Sequence, residues 1–304
     1  ASFNDTIPAK EVWRVSEDGE LRDPFKKLTT VFQMSEEMFF LHYGKDGCNR
    51  HVLIDECREL FGEIYEQIPE LPFCNIWTAM QLSSRLPKGA LFHMGVSNTR
   101  RCWNMFQLPE SVESACNVGC CGIDGCVSTL VGASLVNPDR LCYVVVGDLT
   151  FFYDLNSLGN HHIGTNLRVM LVNNGRGTEF RLGIHHCNVF GDDADKYMAA
   201  AGHFGNKSPL LVKHYAEDLG FHYLSATTKE EFMTALSNFT NPQLSDHSMI
   251  LEVFTDSKDE SEALYLMSHI QSDAKGMVRS KLKDAVRNVA GEKGINAIKK
   301  ILKK

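Results

Sequence analysis

Short continuous runs of apolar and β-branched residues alternate along the chain with segments whose apolar residues recur every three or four positions. The runs predict buried strands at residues 90–94, 141–147, 168–174, 222–226 and 248–255. The periodic segments predict helices at residues 49–68, 122–138, 214–220 and 228–239. Strands that alternate with helices in this way predict an α/β fold, with a doubly wound, mostly parallel sheet and helices on both faces.

The two ends of the chain carry other patterns. Residues 11–34 alternate apolar and polar side chains around turn signals, which predicts two short strands, and Asn75 is a suitable N-cap for a helix that ends before Pro87. Between Lys275 and Lys304 there are ten lysines and arginines but only two acidic residues, with apolar positions near helical spacing. This pattern predicts a helix hairpin docked on its own protein, with a surface for a membrane or a partner as the alternative.

The segment 141–180 holds the most informative chemistry. Its two strand-like runs are separated by a span of the size of a right-handed crossover, so we expect them to be parallel neighbours. Asp148 and Asn174 follow these runs and should lie at the carboxyl edge of the sheet, where open α/β sheets bind ligands. Carboxylate and amide oxygens suit Mg²⁺, and glycines such as Gly147 and Gly175 allow the backbone to approach a diphosphate closely.

Composition narrows the classes of protein further. The net charge of −7 argues against a nucleic-acid-binding protein, and no apolar run approaches the roughly 18 residues that a membrane span needs. The chain starts at Ala1 without a signal-like leader, so we expect a cytoplasmic location.

The cysteines are a second candidate for chemistry, through metal binding or redox reactions. Cys116, Cys120, Cys121 and Cys126 form a cluster whose spacing lacks the paired CxxC motifs of structural zinc sites. Reduced, buried and inert cysteines are the favoured interpretation, which agrees with a cytosolic location. The alternative is a metal or redox protein that uses this cluster together with the His-His-Cys segment at 185–187. Adjacent histidines in a strand would point to opposite faces, which disfavours a shared ion.

The segment 147–174 resembles the signature of thiamine-diphosphate (ThDP) enzymes, which opens with Gly-Asp and an apolar residue and closes roughly 25 residues later with Asn-Asn. Its opening, Gly147-Asp148-Leu149, is closest to the MenD-like branch, the SEPHCHC synthases. The similarity reaches over about residues 11–255.

The resemblance implies a ThDP-binding fold and a division of the chain into three parts. Residues 1–70 would be the remnant of a middle domain with a linker helix, and residues 71–258 the diphosphate-binding (PP) domain. Residues 259–304 would form a helical basic tail.

The resemblance also implies roles for individual residues. The metal ligands would be the side chains of Asp148 and Asn174 and the backbone carbonyl of Arg176. The cofactor would be bound by Gly122, Ile123, Gly147, Leu149, Thr150, Asn173 and Gly175, with Ile123 as the apolar wedge beneath the bent ThDP. The substrate would be contacted by Ser97, Arg101, Glu179 and Phe180, the first two at positions that bind substrate carboxylates in the family.

Two positions depart from the MenD-like pattern. An arginine of the family is replaced by Val118, and an apolar pocket residue is replaced by Glu179. If both positions line the pocket, the loss of a cation and the gain of an unpaired anion disfavour a dicarboxylate-rich set of substrates. We therefore expect an acceptor other than that of the SEPHCHC synthases.

The resulting functional expectation is the C-terminal, Mg²⁺- and diphosphate-binding part of a ThDP-dependent transferase or lyase. The complete enzyme would decarboxylate a 2-oxo acid and form a carbon–carbon bond with an unidentified acceptor, as a homodimer or homotetramer. Its activating glutamate would belong to a pyrimidine-binding (Pyr) domain of the same or another chain, so the isolated chain is expected to be inactive. The alternatives are a non-catalytic interaction module and the PP subunit of a split enzyme.

Overall fold

The computed structural model describes residues 9–44, 52–119, 121–182, 185–198, 203, 205 and 207–270. The chain divides into two compact units, Ala1–Glu66 and Gln67–Lys304. The predicted basic hairpin and Cys120 lie outside the described residues.

The first unit contains two short strands and two helices among its described residues. Strand β1 (Val12–Val15) pairs in parallel with β2 (Leu28–Phe32), which confirms the two predicted strands. Helix α1 (Glu36–Tyr43) begins after Ser35, whose side chain accepts a hydrogen bond from a backbone N–H of its first turn. Helix α2 (Val52–Glu66) is the predicted amphipathic helix. None of the predicted site residues belongs to this unit.

The second unit is built on a parallel sheet, six-stranded in the part of the chain that the structure describes. Its strands are β3 (Leu91–Met94), β4 (Glu113–Cys116), β5 (Cys142–Gly147), β6 (Leu167–Asn173), β7 (His222–Ala226) and β8 (Met249–Phe254). Its α-helices are α3 (Asn75–Leu82), α4 (Asn98–Trp103), α5 (Cys126–Val136), α6 (Asp148–Asp154), α7 (Ala194–Tyr197), α8 (Leu211–Asp218), α9 (Lys229–Phe239) and α10 (Ser257–Ser268). Short 3₁₀ helices cover Ser83–Arg85, Leu155–Gly159, Thr178–Arg181 and His186–Asp193.

The sheet is covered on both faces. Tyr143 and Val145 of β5 belong to an apolar cluster with α3, α4 and α9, whereas Val144 and Val146 belong to a second cluster with α5, α6 and α8. Successive side chains of a strand point to opposite faces, so two clusters on alternate residues lie on the two sides of one sheet. The prediction of a parallel α/β sheet with helices on both faces is confirmed.

The strand order β4-β3-β5-β6-β8-β7 reverses direction between β3 and β5. At such a switch point the connections leave the neighbouring strands on opposite sides, and a crevice opens at their carboxyl ends. The residue after β3 lies close to β5 here: Gly95 N donates a hydrogen bond to the Val145 carbonyl at 2.7 Å. A Cβ at Gly95 would lie 3.3 Å from the same oxygen, a tight contact with the backbone that a side chain could relieve only if the strands shifted slightly.

Several local expectations were wrong. Strand β4 was not predicted, because the edge sequence ESAC lacks an apolar run. The N-cap of α3 is Cys74 and not Asn75, whose side-chain oxygen instead accepts from the Trp103 indole at 3.0 Å. The segment 185–187 is not a strand, since a 3₁₀ helix begins at His186.

The cysteine interpretation also needs correction. Cys126 is buried, but Cys121 is exposed, because it lies in the loop between β4 and α5. The described residues include no group of three or more histidine, cysteine or acidic side chains arranged to hold a metal. No helix within the described ranges is long and apolar enough to cross a membrane.

Candidate functional site

A cleft lies at the switch point of the sheet. Its walls come from the start of α3, from the ends of β5 and β6, from the residues that follow β3, β5 and β6, and from the loop before α5. They are Asn75, Val96, Ser97, Asn98, Thr99, Ile123, Gly147, Asp148, Leu149, Thr150, Val172, Asn174, Arg176, Gly177, Thr178, Glu179 and Phe180. Most of the predicted site residues are therefore brought together in one place.

Asp148 is the structural centre of this cleft. The residue is only 3% exposed, and its Oδ1 accepts from the backbone N–H of Leu149 at 2.8 Å. Oδ2 accepts from the backbone N–H groups of Asn174 at 3.2 Å and Gly175 at 2.6 Å. These bonds tie the end of β5 to the turn after β6. The expectation that Asp148 and Asn174 share the carboxyl edge is confirmed.

The carboxamide oxygen of Asn174 has no hydrogen-bond partner in the part of the chain that the structure describes. Oδ1 is buried and receives no hydrogen bond from the described residues. A buried polar atom without a partner is costly, so its presence beside a carboxylate points to a ligand that the atom coordinates. An amide oxygen next to a carboxylate is a hard donor set, and Mg²⁺ fits it.

Space for a ligand is present next to these donors. Gly147 has an ordinary φ of −77° and lines the cleft, and a Cβ added there would meet no atom within 4 Å. Neither the backbone nor packing therefore requires glycine at this position. A diphosphate that approaches the backbone closely would use this open space.

Four predicted site residues are absent from the walls of the cleft. Gly175 lies in the turn that holds Asp148 and has φ +79°, which favours glycine. The Asn173 side chain donates to Glu252 at 2.7 Å inside the sheet and does not line the cleft. Gly122 directly precedes Ile123, which does line the cleft. The side chain of Arg101 donates to Glu179.

Arg101 and Glu179 form a bidentate ion pair. Nη1 of Arg101 donates to Oε2 of Glu179 at 2.7 Å, and Nη2 donates to Oε1 at 3.0 Å. The hydrogen bond to Glu179 raises the pKa of the Arg101 guanidinium above its usual value. The premise that Glu179 is an unpaired anion is wrong.

Ser97 holds a strained backbone position at the mouth of the cleft. Its φ of 57° and ψ of −119° are unusual for a residue with a side chain, and the residue forms the N-cap of α4 without a side-chain capping bond. Strain of this kind costs about 1–3 kcal/mol and concentrates at functional positions. The observation supports the predicted role of Ser97 at the site without assigning its ligand.

Several site residues were not predicted from the sequence, and three of them bear on the chemistry of the cleft. Thr178 lines the cleft with a buried hydroxyl that has no partner among the described residues, and it stands just after the recognised motif. His203 places Nε2 at 3.0 Å from Asp148 Oδ2, and no sequence pattern indicated it. Asn75 also lines the cleft, and its backbone N–H donates to both oxygens of the buried Glu260 at 3.0 and 3.1 Å.

Comparison with known proteins agrees with this geometry. No protein-family model matches the chain. The chain is 33% identical over 263 residues to a 2-succinyl-5-enolpyruvyl-6-hydroxy-3-cyclohexene-1-carboxylate (SEPHCHC) synthase of Bacteroides fragilis. It is 32% identical over 265 residues to the synthase of Phocaeicola vulgatus and 33% identical over 199 residues to that of Christiangramia forsetii.

The matches cover 84% of this chain for the first two relatives and 66% for the third. The chain belongs to the MenD-like family. The matched region is 45% of the Bacteroides fragilis synthase, so the chain spans less than half the length of this relative.

The structure shows where the two positions lie that depart from the MenD-like pattern, Val118 and Glu179. Glu179 lines the cleft, but Val118 is absent from its walls and is 41% exposed. Only one of the two departures therefore changes the chemistry of the cleft itself. The negative charge of Glu179 is balanced by Arg101, a residue expected to bind a substrate carboxylate.

Proposed function

We propose that this chain is the PP part of a MenD-like, ThDP-dependent enzyme that joins a decarboxylated 2-oxo acid to an acceptor. The supporting observation is the orphaned carboxamide oxygen of Asn174 beside Asp148 in a cleft at the switch point of the sheet. When bound, ThDP supplies the electron sink for the decarboxylation.

Different residues of this chain would bind the metal, the diphosphate and the apolar part of the cofactor. Asp148 and Asn174 would hold Mg²⁺ through their side chains, with the backbone carbonyl of Arg176 as a further ligand. Gly147 would admit the diphosphate to the backbone, and Ile123 would support the cofactor from its apolar side. A Mg²⁺ ion held there would supply the charge that neutralises the phosphate groups, which Asp148 alone would repel.

Proton transfer to and from the cofactor is assigned to a glutamate of a Pyr domain, in the same chain or another one. The described residues would bind and orient the cofactor. We therefore expect weak Mg²⁺-dependent ThDP binding and no turnover by this chain alone.

The decisive test removes the orphaned oxygen. Asn174→Ala should abolish Mg²⁺-dependent ThDP binding in calorimetry, because the metal loses a ligand. It should leave the free energy of unfolding of the ligand-free protein unchanged or raise it, since a buried unpaired atom is removed. Thr165→Ala, a change in the turn before β6, is a control that should retain binding.

Asp148→Ala should also abolish binding, but with a different signature. Three backbone N–H groups lose their acceptor, so this variant should in addition lose about 1–3 kcal/mol of unfolding free energy. Undiminished ThDP affinity in both variants would overturn the metal assignment. A wild-type protein that binds no ThDP at millimolar cofactor with Mg²⁺ would favour the non-catalytic interaction module.

A further inference from the structure

The Arg101–Glu179 pair connects two elements that border the cleft. Arg101 belongs to α4, which follows β3, and Glu179 lies in the 3₁₀ helix that follows β6. The residues are 78 positions apart in sequence. The two ends of the pair therefore come from opposite sides of the switch point.

The pair is partly buried. The Arg101 side chain is 32% exposed and that of Glu179 is 24% exposed, and both N–H···O contacts are at hydrogen-bond distance. A planar guanidinium that faces a carboxylate with two parallel bonds has its Nη1/Nη2 edge occupied, so this edge is not available to a ligand carboxylate. Glu179 is thus an internal substitute for an anionic ligand.

The charged side chain of the pair that lines the cleft is the carboxylate. Glu179 is among the lining residues and Arg101 is not. Asp148 is the other anion of the cleft, and Arg176 is the cation among its described lining residues. A ligand that brings a carboxylate to the α4 side of the cleft would meet Glu179 and would have to displace it from Arg101.

We propose that Glu179 is a specificity-determining residue that masks Arg101, so that the cleft selects 2-oxo acids with an uncharged side chain over 2-oxo dicarboxylic acids. This inference rests on the proposed function, because it takes the cleft as a 2-oxo acid site. Like charges in proximity disfavour the wrong ligand, and an arginine engaged elsewhere contributes no compensating attraction.

The experiment compares the wild type with Glu179→Gln. The probes are 2-oxoglutarate and 2-oxopentanoate, which have the same number of carbons but differ in the terminal carboxylate. Binding is measured by calorimetry or ligand-observed NMR at constant ionic strength. We expect Glu179→Gln to bind 2-oxoglutarate roughly tenfold more tightly than the wild type, with little change for 2-oxopentanoate.

The double variant Arg101→Gln/Glu179→Gln separates the two side chains. It should lose the affinity for 2-oxoglutarate that Glu179→Gln gained, because the freed guanidinium is responsible for the gain. Retained affinity in the double variant would overturn the inference. So would a wild type that binds 2-oxoglutarate as tightly as Glu179→Gln does.

A second readout follows the guanidinium directly. Phenylglyoxal modification of Arg101, measured by peptide mass spectrometry, should be faster in Glu179→Gln than in the wild type, and 2-oxoglutarate should protect it. The matched control is Glu113→Gln. Glu113 pairs with Arg140 at 2.8 Å, and the Arg140 side chain is 32% exposed, like that of Arg101. This control should break the ion pair of Arg140 with Glu113 without any gain in affinity for 2-oxoglutarate.

ThDP binding is measured on the same samples, which separates this inference from the proposed function. A gain for 2-oxoglutarate in a protein that binds no Mg²⁺–ThDP would support the masking of Arg101 while contradicting the cofactor site. Mg²⁺-dependent ThDP binding without any gain in Glu179→Gln would contradict the masking alone.

Discussion

Glu260 is a buried carboxyl group directly behind the cleft. It is 1% exposed, accepts from the Asn75 backbone N–H through both oxygens, and accepts from the Thr255 hydroxyl at 2.7 Å. Burial raises the pKa of Glu260 from 4.5 to about 7, against the lowering effect of these hydrogen bonds. The folded protein thus retains a proton that the unfolded chain releases.

This raised pKa predicts a stability that falls with rising pH. The contribution of Glu260 is fully present below the unfolded pKa of 4.5 and is lost as the pH rises through about 7. The loss amounts to about 3 kcal/mol at most. Glu260→Gln, which stays neutral, should therefore flatten the dependence of unfolding free energy on pH between about pH 5 and 8.

Urea unfolding of both proteins across this range checks the prediction. Glu262→Gln, at an exposed position of the same helix α10, is the control and should leave the slope unchanged. An equal slope in Glu260→Gln and the wild type would contradict a protonated Glu260 in the fold.

At the scale of elements, helix α5 is capped by another helix. Its N-cap is Gly125, which has no side chain to accept from the first turn. Asp154, the last residue of α6, instead accepts from the Ser128 N–H at 2.7 Å. The carboxylate at this helix N-terminus also interacts favourably with the helix dipole. The loop that carries Ile123 is thereby anchored to the helix that begins at Asp148.

Removal of this cap should destabilise the protein without altering the donors of the cleft. Asp154→Ala is expected to lower the free energy of unfolding by about 1 kcal/mol, the usual loss on removing a helix cap. Asp154→Asn retains an acceptor and should lose less. Chemical denaturation of both variants measures the difference, and an equal stability of Asp154→Ala and the wild type would show that the cap is dispensable.

At the scale of the whole molecule, the α/β unit contains its own core. Among the described residues, both buried apolar clusters consist of residues from Leu71 onward. The walls of the cleft likewise run from Asn75 to Phe180, within the unit Gln67–Lys304. Folding and cofactor binding should therefore be properties of this unit.

A protein restricted to residues 67–304 tests this autonomy. We expect it to unfold cooperatively with a free energy within about 1 kcal/mol of that of the α/β unit in the full chain. It should also have the same affinity for Mg²⁺–ThDP as the full chain. A non-cooperative transition, or loss of binding that the full chain shows, would assign a structural role to residues 1–66.

Local sequence patterns were sufficient for much of the fold and part of the site. The apolar runs around Val144 and Val169 identified two parallel, adjacent strands, because a buried strand needs a continuous apolar segment. The same runs placed Asp148 and Asn174 together, since both follow strand ends at one edge of the sheet. The edge strand β4 escaped notice because its short sequence lacks that signal.

The sequence by itself determined the α/β architecture, the carboxyl-edge location of the motif and the membership of the MenD-like family. Only the tertiary structure decided which partners the charged and polar groups have. Arg101 meets Glu179 across 78 positions, and Asn75 meets Glu260 across 185. Strand and helix periods are local, whereas these pairings depend on how distant elements pack. The folded chain thus makes Glu179, which the sequence treats as an unpaired anion, the partner of an arginine.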